Sequence, residues 1–190
     1  MLTAAFAAFA DTINWNYDST AKTLYISGSG NMDNYTDSSD TPWNDYMTQM
    51  ERIVVSDGVK SLGNTAFAGA NKLTAVELAS SVTAIGANTF ASCSLLNELT
   101  LGDGVISIGD ISFAYNGMTE KTDFKLNVMP GSYALYYAIS NHLAYNCDEI
   151  RTGILNVSLQ KGMTAYYPYT AKYSGRYRLF SVSKHVLVSL

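Results

Sequence analysis

Histidine and cysteine are scarce in this chain, with two of each in 190 residues. Neither His142 nor His185 stands in an acid–base motif, and no H-E-x-x-H, G-x-S-x-G or P-loop pattern occurs. The expectation is a non-enzyme without cofactor or metal. Cys93 and Cys147 are too few for a disulfide framework, and whether they pair stays open. Charged residues make up only 15% of the chain and the formal net charge is −4, so the basic face that nucleic-acid binding requires is missing. No apolar run approaches the roughly 20 residues of a membrane span.

What is plentiful is apolar and aromatic. Hydrophobic residues are 47% of the chain, enough to offset the entropy of ordering it. Residues 1–10, MLTAAFAAFA, are apolar and small, and Ala8-Phe9-Ala10 has the form of a leader-peptidase site. They read as the remnant of a secretory leader or as a loose chain end. From Ile13 the pattern alternates: Ile13, Trp15 and Tyr17 on one face, Leu24 and Ile26 on another, with a turn at Asp18 to Lys22, giving a hairpin. Gly28-Ser29-Gly30 reads as a backbone turn, since no phosphate-binding lysine follows. Asp33, Asp37 and Asp40 lack the spacing of a calcium loop and read as solvated. Trp43, Tyr46, Met47 and Met50 recur at three- and four-residue steps, predicting a short helix with one apolar face.

The centre of the chain, Ile53 to Met118, is one unit written three times. Val59, Val82 and Val105 are 23 residues apart, as are Gly63, Gly86 and Gly109, and Phe67, Phe90 and Phe113. Such a period marks a leucine-rich-repeat solenoid, an α+β repeat of short parallel strands and short helical or 3₁₀ segments. Each copy opens on a strand triplet: Ile53 to Val55, Val76 to Leu78, Leu99 to Leu101. Outer members of each triplet point to the core and the middle one outward. The repeated glycine implies either a backbone conformation closed to other residues or a close approach between coils. Phe67, Phe90 and Phe113 should stack as an internal spine, and Cys93 should fill a small buried position.

A solenoid needs atypical ends to cover its apolar faces. Residues 11–52 read as the N-terminal cap and 53–150 as the solenoid with its own C-terminal cap. In that cap Phe124 to Val128 is a strand, Ser132 an N-cap, Tyr133 to Ser140 a helix stopped by Asn141, and Leu143 to Tyr145 a returning strand. Residues 151–190 read as an antiparallel β module, stopping inside the strand-like run Val186 to Leu190. An open edge there invites self-association. Its Tyr166, Tyr167, Tyr169, Tyr173 and Tyr177 read as ordinary sheet residues rather than a sugar platform.

The unit from Leu73 to Leu95 resembles the BspA-like leucine-rich repeat of bacterial surface proteins, S-V-x-x-I-G-x-x-x-F-x-x-C-x-x-L, here through Ser81, Val82, Ile85, Gly86, Phe90 and Cys93. The opening is similar to that family as well, at Trp15, Leu24 to Met32 and Pro42-Trp43, and so is the closing segment at Gly131, Ser132, Ala134, Tyr137 and Ala138. The resemblance covers about residues 13–146. It implies a secreted or surface-attached bacterial protein concerned with adhesion or host contact, and it brings no shared catalytic residues.

Two functions follow. The first is a binding module that meets a host or bacterial protein or glycan through the outward strand face. Its candidate residues are Arg52, Val54, Ser56, Glu77, Glu98 and Thr100, with Ala75, Ala79 and Gly102 beside them. The second is a spacer presenting another domain. Glu77 and Glu98 make no convincing glycosidase pair, because Glu77 aligns with Thr100 in the repeat and Glu98 with Ala75.

Overall fold

The computed structural model describes residues 11–113, 115–116, 119–120 and 122–147. The leader reading of residues 1–10, the β module of 151–190 with its tyrosines and self-association edge, and His185 lie outside them. The expected hairpin is present: β1 (Thr12–Asp18) and β2 (Thr23–Asn31) pair antiparallel. The Asp18 carboxylate accepts from the N–H of Thr20 and Ala21 at 2.8 and 2.9 Å, and Lys22 closes the turn at φ +52°. Those two backbone donors hold the Asp18 carboxyl below its usual pKa.

From β2 onward the chain winds into a parallel β-solenoid with two sheets. β2 pairs with β3 (Arg52–Val55) along its first half and, past a register shift at Gly30/Asn31, with β4 (Val59–Leu62). β5 (Ala75–Leu78) continues the front sheet from β3, and β6 (Ala84–Ile85) continues the back sheet from β4. β7 (Glu98–Leu101) lies at the front and β8 (Ser107–Ile108) pairs with β6 at the back. β9 (Tyr115–Asn116) and β10 (Thr119–Glu120) pair antiparallel. β11 (Lys125–Val128) and β12 (Ala144–Cys147) then extend the front from β7 in parallel. Between these last two strands runs the helix α1 (Tyr133–Ser140), capped by the Ser132 hydroxyl, which accepts from Leu135 N–H at 3.2 Å.

The phenylalanine segments run as successive turns rather than as helix. Thr65, Asn88 and Ile111, equivalent in the three copies, sit at φ +59°, +55° and +53°, which interrupts any right-handed helical path. The N–H groups of Thr65 and Asn88 turn toward the next coil instead. Thr65 donates to Ala87 O, Phe67 to Thr89 O and Gly69 to Ala91 O at 2.8–3.0 Å. Near Trp43 the helix expected through Met50 is shorter than predicted, a single 3₁₀ turn at Asn44–Tyr46, with Trp43, Met47 and Met50 buried as expected.

Inside the coil the aromatic spine is longer than the repeat. Trp43, Phe67, Phe90, Phe113 and Phe124 stack in order, with centroid steps of 5.5, 5.4, 6.0 and 5.8 Å. Burial of each ring is worth about 1.5–3 kcal/mol. Buried hydroxyls serve the coil carbonyls: Thr89 donates to Gly86 O at 2.7 Å, and Ser112 to Gly109 O at 2.6 Å. Of the two readings of the repeated glycine, the structure selects close approach. A Cβ on Gly86 would collide with the backbone of Gly63 and Asn64, and one on Gly109 with that of Gly86 and Ala87. Cys93 is buried, its thiol donating to Phe67 O at 3.3 Å, and Cys147 is half-buried; no disulfide joins the two.

Candidate functional site

In-register pairing turns the outward residues of the front strands into rows. Tyr25, Val54 and Glu77 align through β2, β3 and β5. Thr100, Asn127 and Asn146 align through β7, β11 and β12. Beside them run the buried Thr23 with Arg52 and Ala75, then Glu98, Lys125 and Ala144. The two-residue strand period dictates this, since the flanking Ile53, Val55, Leu99 and Leu101 are buried.

Each predicted site residue can now be placed. Arg52 and Glu77 are exposed and form an ion pair across β3 and β5. Val54 is half-buried at the centre of the row. Ser56 is exposed just past β3, its N–H bonded to Ile26 O at 2.9 Å. Glu98 and Thr100 are exposed and meet through one side chain: the Asn127 amide donates to the Glu98 carboxylate and to the Thr100 hydroxyl, each at 3.4 Å. Asn146 in turn donates to the Asn127 carbonyl at 2.7 Å.

Sequence reasoning missed Tyr25, Lys125, Asn127 and Asn146. The signal was available for Tyr25 and Asn127, each the middle residue between two buried neighbours on its strand (Leu24 and Ile26; Leu126 and Val128). The face carries two bases, Arg52 and Lys125, and two acids, Glu77 and Glu98, so its charges cancel. Among the described residues it brings together no nucleophile, base and oxyanion donors. Among the described residues no group of three His, Cys, Asp or Glu side chains comes together to hold a metal ion. His142 is exposed just past the end of α1, at φ +55°. Among the described residues no helix is long and apolar enough to cross a membrane.

A family model described as a BspA type leucine rich repeat region (6 copies) matches residues 45–160, more than half of the chain. The chain belongs to the BspA-type leucine-rich-repeat family. No curated protein matches it. Among solved structures it is similar to a leucine-rich repeat protein from Eubacterium ventriosum, at 20% identity and a TM-score of 0.44, over 62% of this chain and 42% of that one. It is also similar to the T. pallidum leucine-rich repeat protein, at 14% identity and a TM-score of 0.37, over 62% of this chain and 68% of that one. The chain thus spans less than half the length of the Eubacterium protein. Membership of the BspA-type repeats suggests a protein-interaction repeat module.

Proposed function

We propose that this BspA-type chain is a secreted or surface-attached binding module that takes a protein or glycan on the front face of its solenoid. The observation that supports this is the pair of in-register rows on the front strands, Tyr25, Val54, Glu77 and Thr100, Asn127, Asn146. One outward side chain per coil, held on rigid strands, is how solenoids build extended recognition surfaces. The family supports an extracellular setting, and the low charge content agrees with it.

The test is binding of the full chain to immobilised host glycans and matrix proteins, beside a triple variant with Arg52→Ala, Glu77→Ala and Thr100→Ala. A ligand lost in the variant supports the front face. A ligand retained moves the site elsewhere on the chain. A folded chain with no ligand favours the spacer reading, in which the spine and coil ladders only hold distance between other domains.

A further inference from the structure

The front of the solenoid has a seam. β3 pairs with β5, and β7 with β11, but among the described residues no ladder joins β5 to β7. At the back the same two coils stay bonded, Ala84 and Ile85 against Ser107 and Ile108. The unpaired groups face each other. Ala75 N–H donates to Glu51 O and Ala79 N–H to Val55 O, both toward β3. In a parallel strand alternate residues turn the other way, so the backbone groups of Val76 and Leu78 are directed at β7. On β7, Asn97 O accepts from Lys125 N–H of β11, which leaves Glu98 and Thr100 directed at β5. Side chains register the same opening. Val76 and Leu78 are half-buried where their equivalents Ile53, Val55, Leu99 and Leu101 are buried. Behind the seam, Phe90 to Phe113 is the widest step of the spine, at 6.0 Å.

We propose that this seam accepts an extended peptide segment as an added strand between β5 and β7. Two facing edges carry donors and acceptors at strand spacing, and a peptide backbone offers matching groups on both of its sides, about 3.3 Å per residue. Sugar hydroxyls do not repeat in that way. Admission requires the coils to part at the front by about one strand spacing, ~4.8 Å, with the β6–β8 ladder and the Asn88–Asp110 and Phe90–Ser112 backbone bonds together as the hinge. The segment would alternate. Apolar side chains face inward to Val76 and Leu78, and outward ones lie beside the Glu98 carboxylate, which favours a basic residue. This rests on the front-face reading only for its location.

The full chain would be offered a displayed library of random short peptides, with amide exchange measured before and after binding. A Glu77→Cys/Thr100→Cys double variant, at equivalent positions across the seam, closes it on oxidation and reopens it on reduction. We expect the Glu98 and Thr100 amides to exchange about tenfold or more faster than those of β11, and to be protected by a selected peptide. Oxidation should weaken that peptide by about tenfold or more, reversibly. Protected Glu98 and Thr100 amides in the free chain would overturn the proposal, even for a variant that does not oxidise. So would a library that yields no binder, or binding indifferent to the lock. A ligand lost on Arg52→Ala but indifferent to the lock would leave the front-face reading standing and remove the seam.

Discussion

Trp43 stacks on Phe67, with centroids 5.5 Å apart and planes 24° from parallel, and its indole N–H donates to Ala66 O at 2.9 Å. One side chain thus covers the exposed end of the spine and satisfies a carbonyl of the first repeat. The two roles can be separated. Trp43→Ala should cost about 3–5 kcal/mol. Trp43→Phe keeps a ring in the stack but leaves the Ala66 carbonyl unpaired, for about 1–3 kcal/mol. Urea denaturation of the two variants checks this; equal losses would show that the stacked ring contributes nothing beyond the hydrogen bond, and an unchanged Trp43→Phe would show that the hydrogen bond contributes nothing.

The glycines offer a matched comparison. At Gly86 an added Cβ meets backbone of the preceding coil, which cannot move without opening the ladder. Gly86→Ala should destabilise by about 1–3 kcal/mol or more. At Gly102 the same atom meets nothing within 4 Å. Gly102→Ala should stay within about 0.5 kcal/mol of wild type. Chemical denaturation of both variants decides whether close coil approach, rather than glycine flexibility, is what the repeat requires.

Ile111 is the misfit of the third copy. It holds φ +53° at a position where the second copy has Asn88, and it is 46% exposed. Left-handed backbone costs an L-residue roughly 1–2 kcal/mol, and asparagine tolerates it better. Ile111→Asn should therefore raise the melting temperature. A lower melting temperature would mean that the isoleucine makes contacts outweighing its backbone strain.

The 23-residue step made most of this fold legible. It located Phe67, Phe90 and Phe113 in the core and put Ile53, Leu99 and their partners inward. The ends of the spine escaped it. Trp43 falls one residue off the step, and Phe124 follows Phe113 too closely to be a copy, although both rings join the same stack. The back strands β6 and β8 are two residues each, too short for an alternation to show. Among the site residues, Arg52, Glu77, Glu98 and Thr100 are exposed as read, while Asn127 and Asn146 were passed over because they follow the last repeat. The seam had no sequence signal. Val76 and Leu78 are as apolar as their equivalents, and the difference lies in hydrogen bonds between coils.

The last prediction concerns alkaline pH. Tyr137 packs edge-on against Phe113, with centroids 6.1 Å apart, and its hydroxyl donates to Gly109 O at 3.2 Å, ending the row of hydroxyl-to-carbonyl bonds begun by Thr89 and Ser112. Burial, and secondarily the nearby Asp110 carboxylate, push its pKa up to about 12 from 10.0. The neutral phenol is the form the fold prefers, so its contribution is complete below the unfolded value and lost as pH rises through the folded one. Stability should fall between pH 10.0 and about 12 more steeply in wild type than in Tyr137→Phe. At neutral pH the variant should be weaker by about 1 kcal/mol, the usual net worth of one such bond. Urea midpoints collected across pH for the two proteins test this. Parallel curves would show that Tyr137 ionises no differently in the folded and unfolded chains.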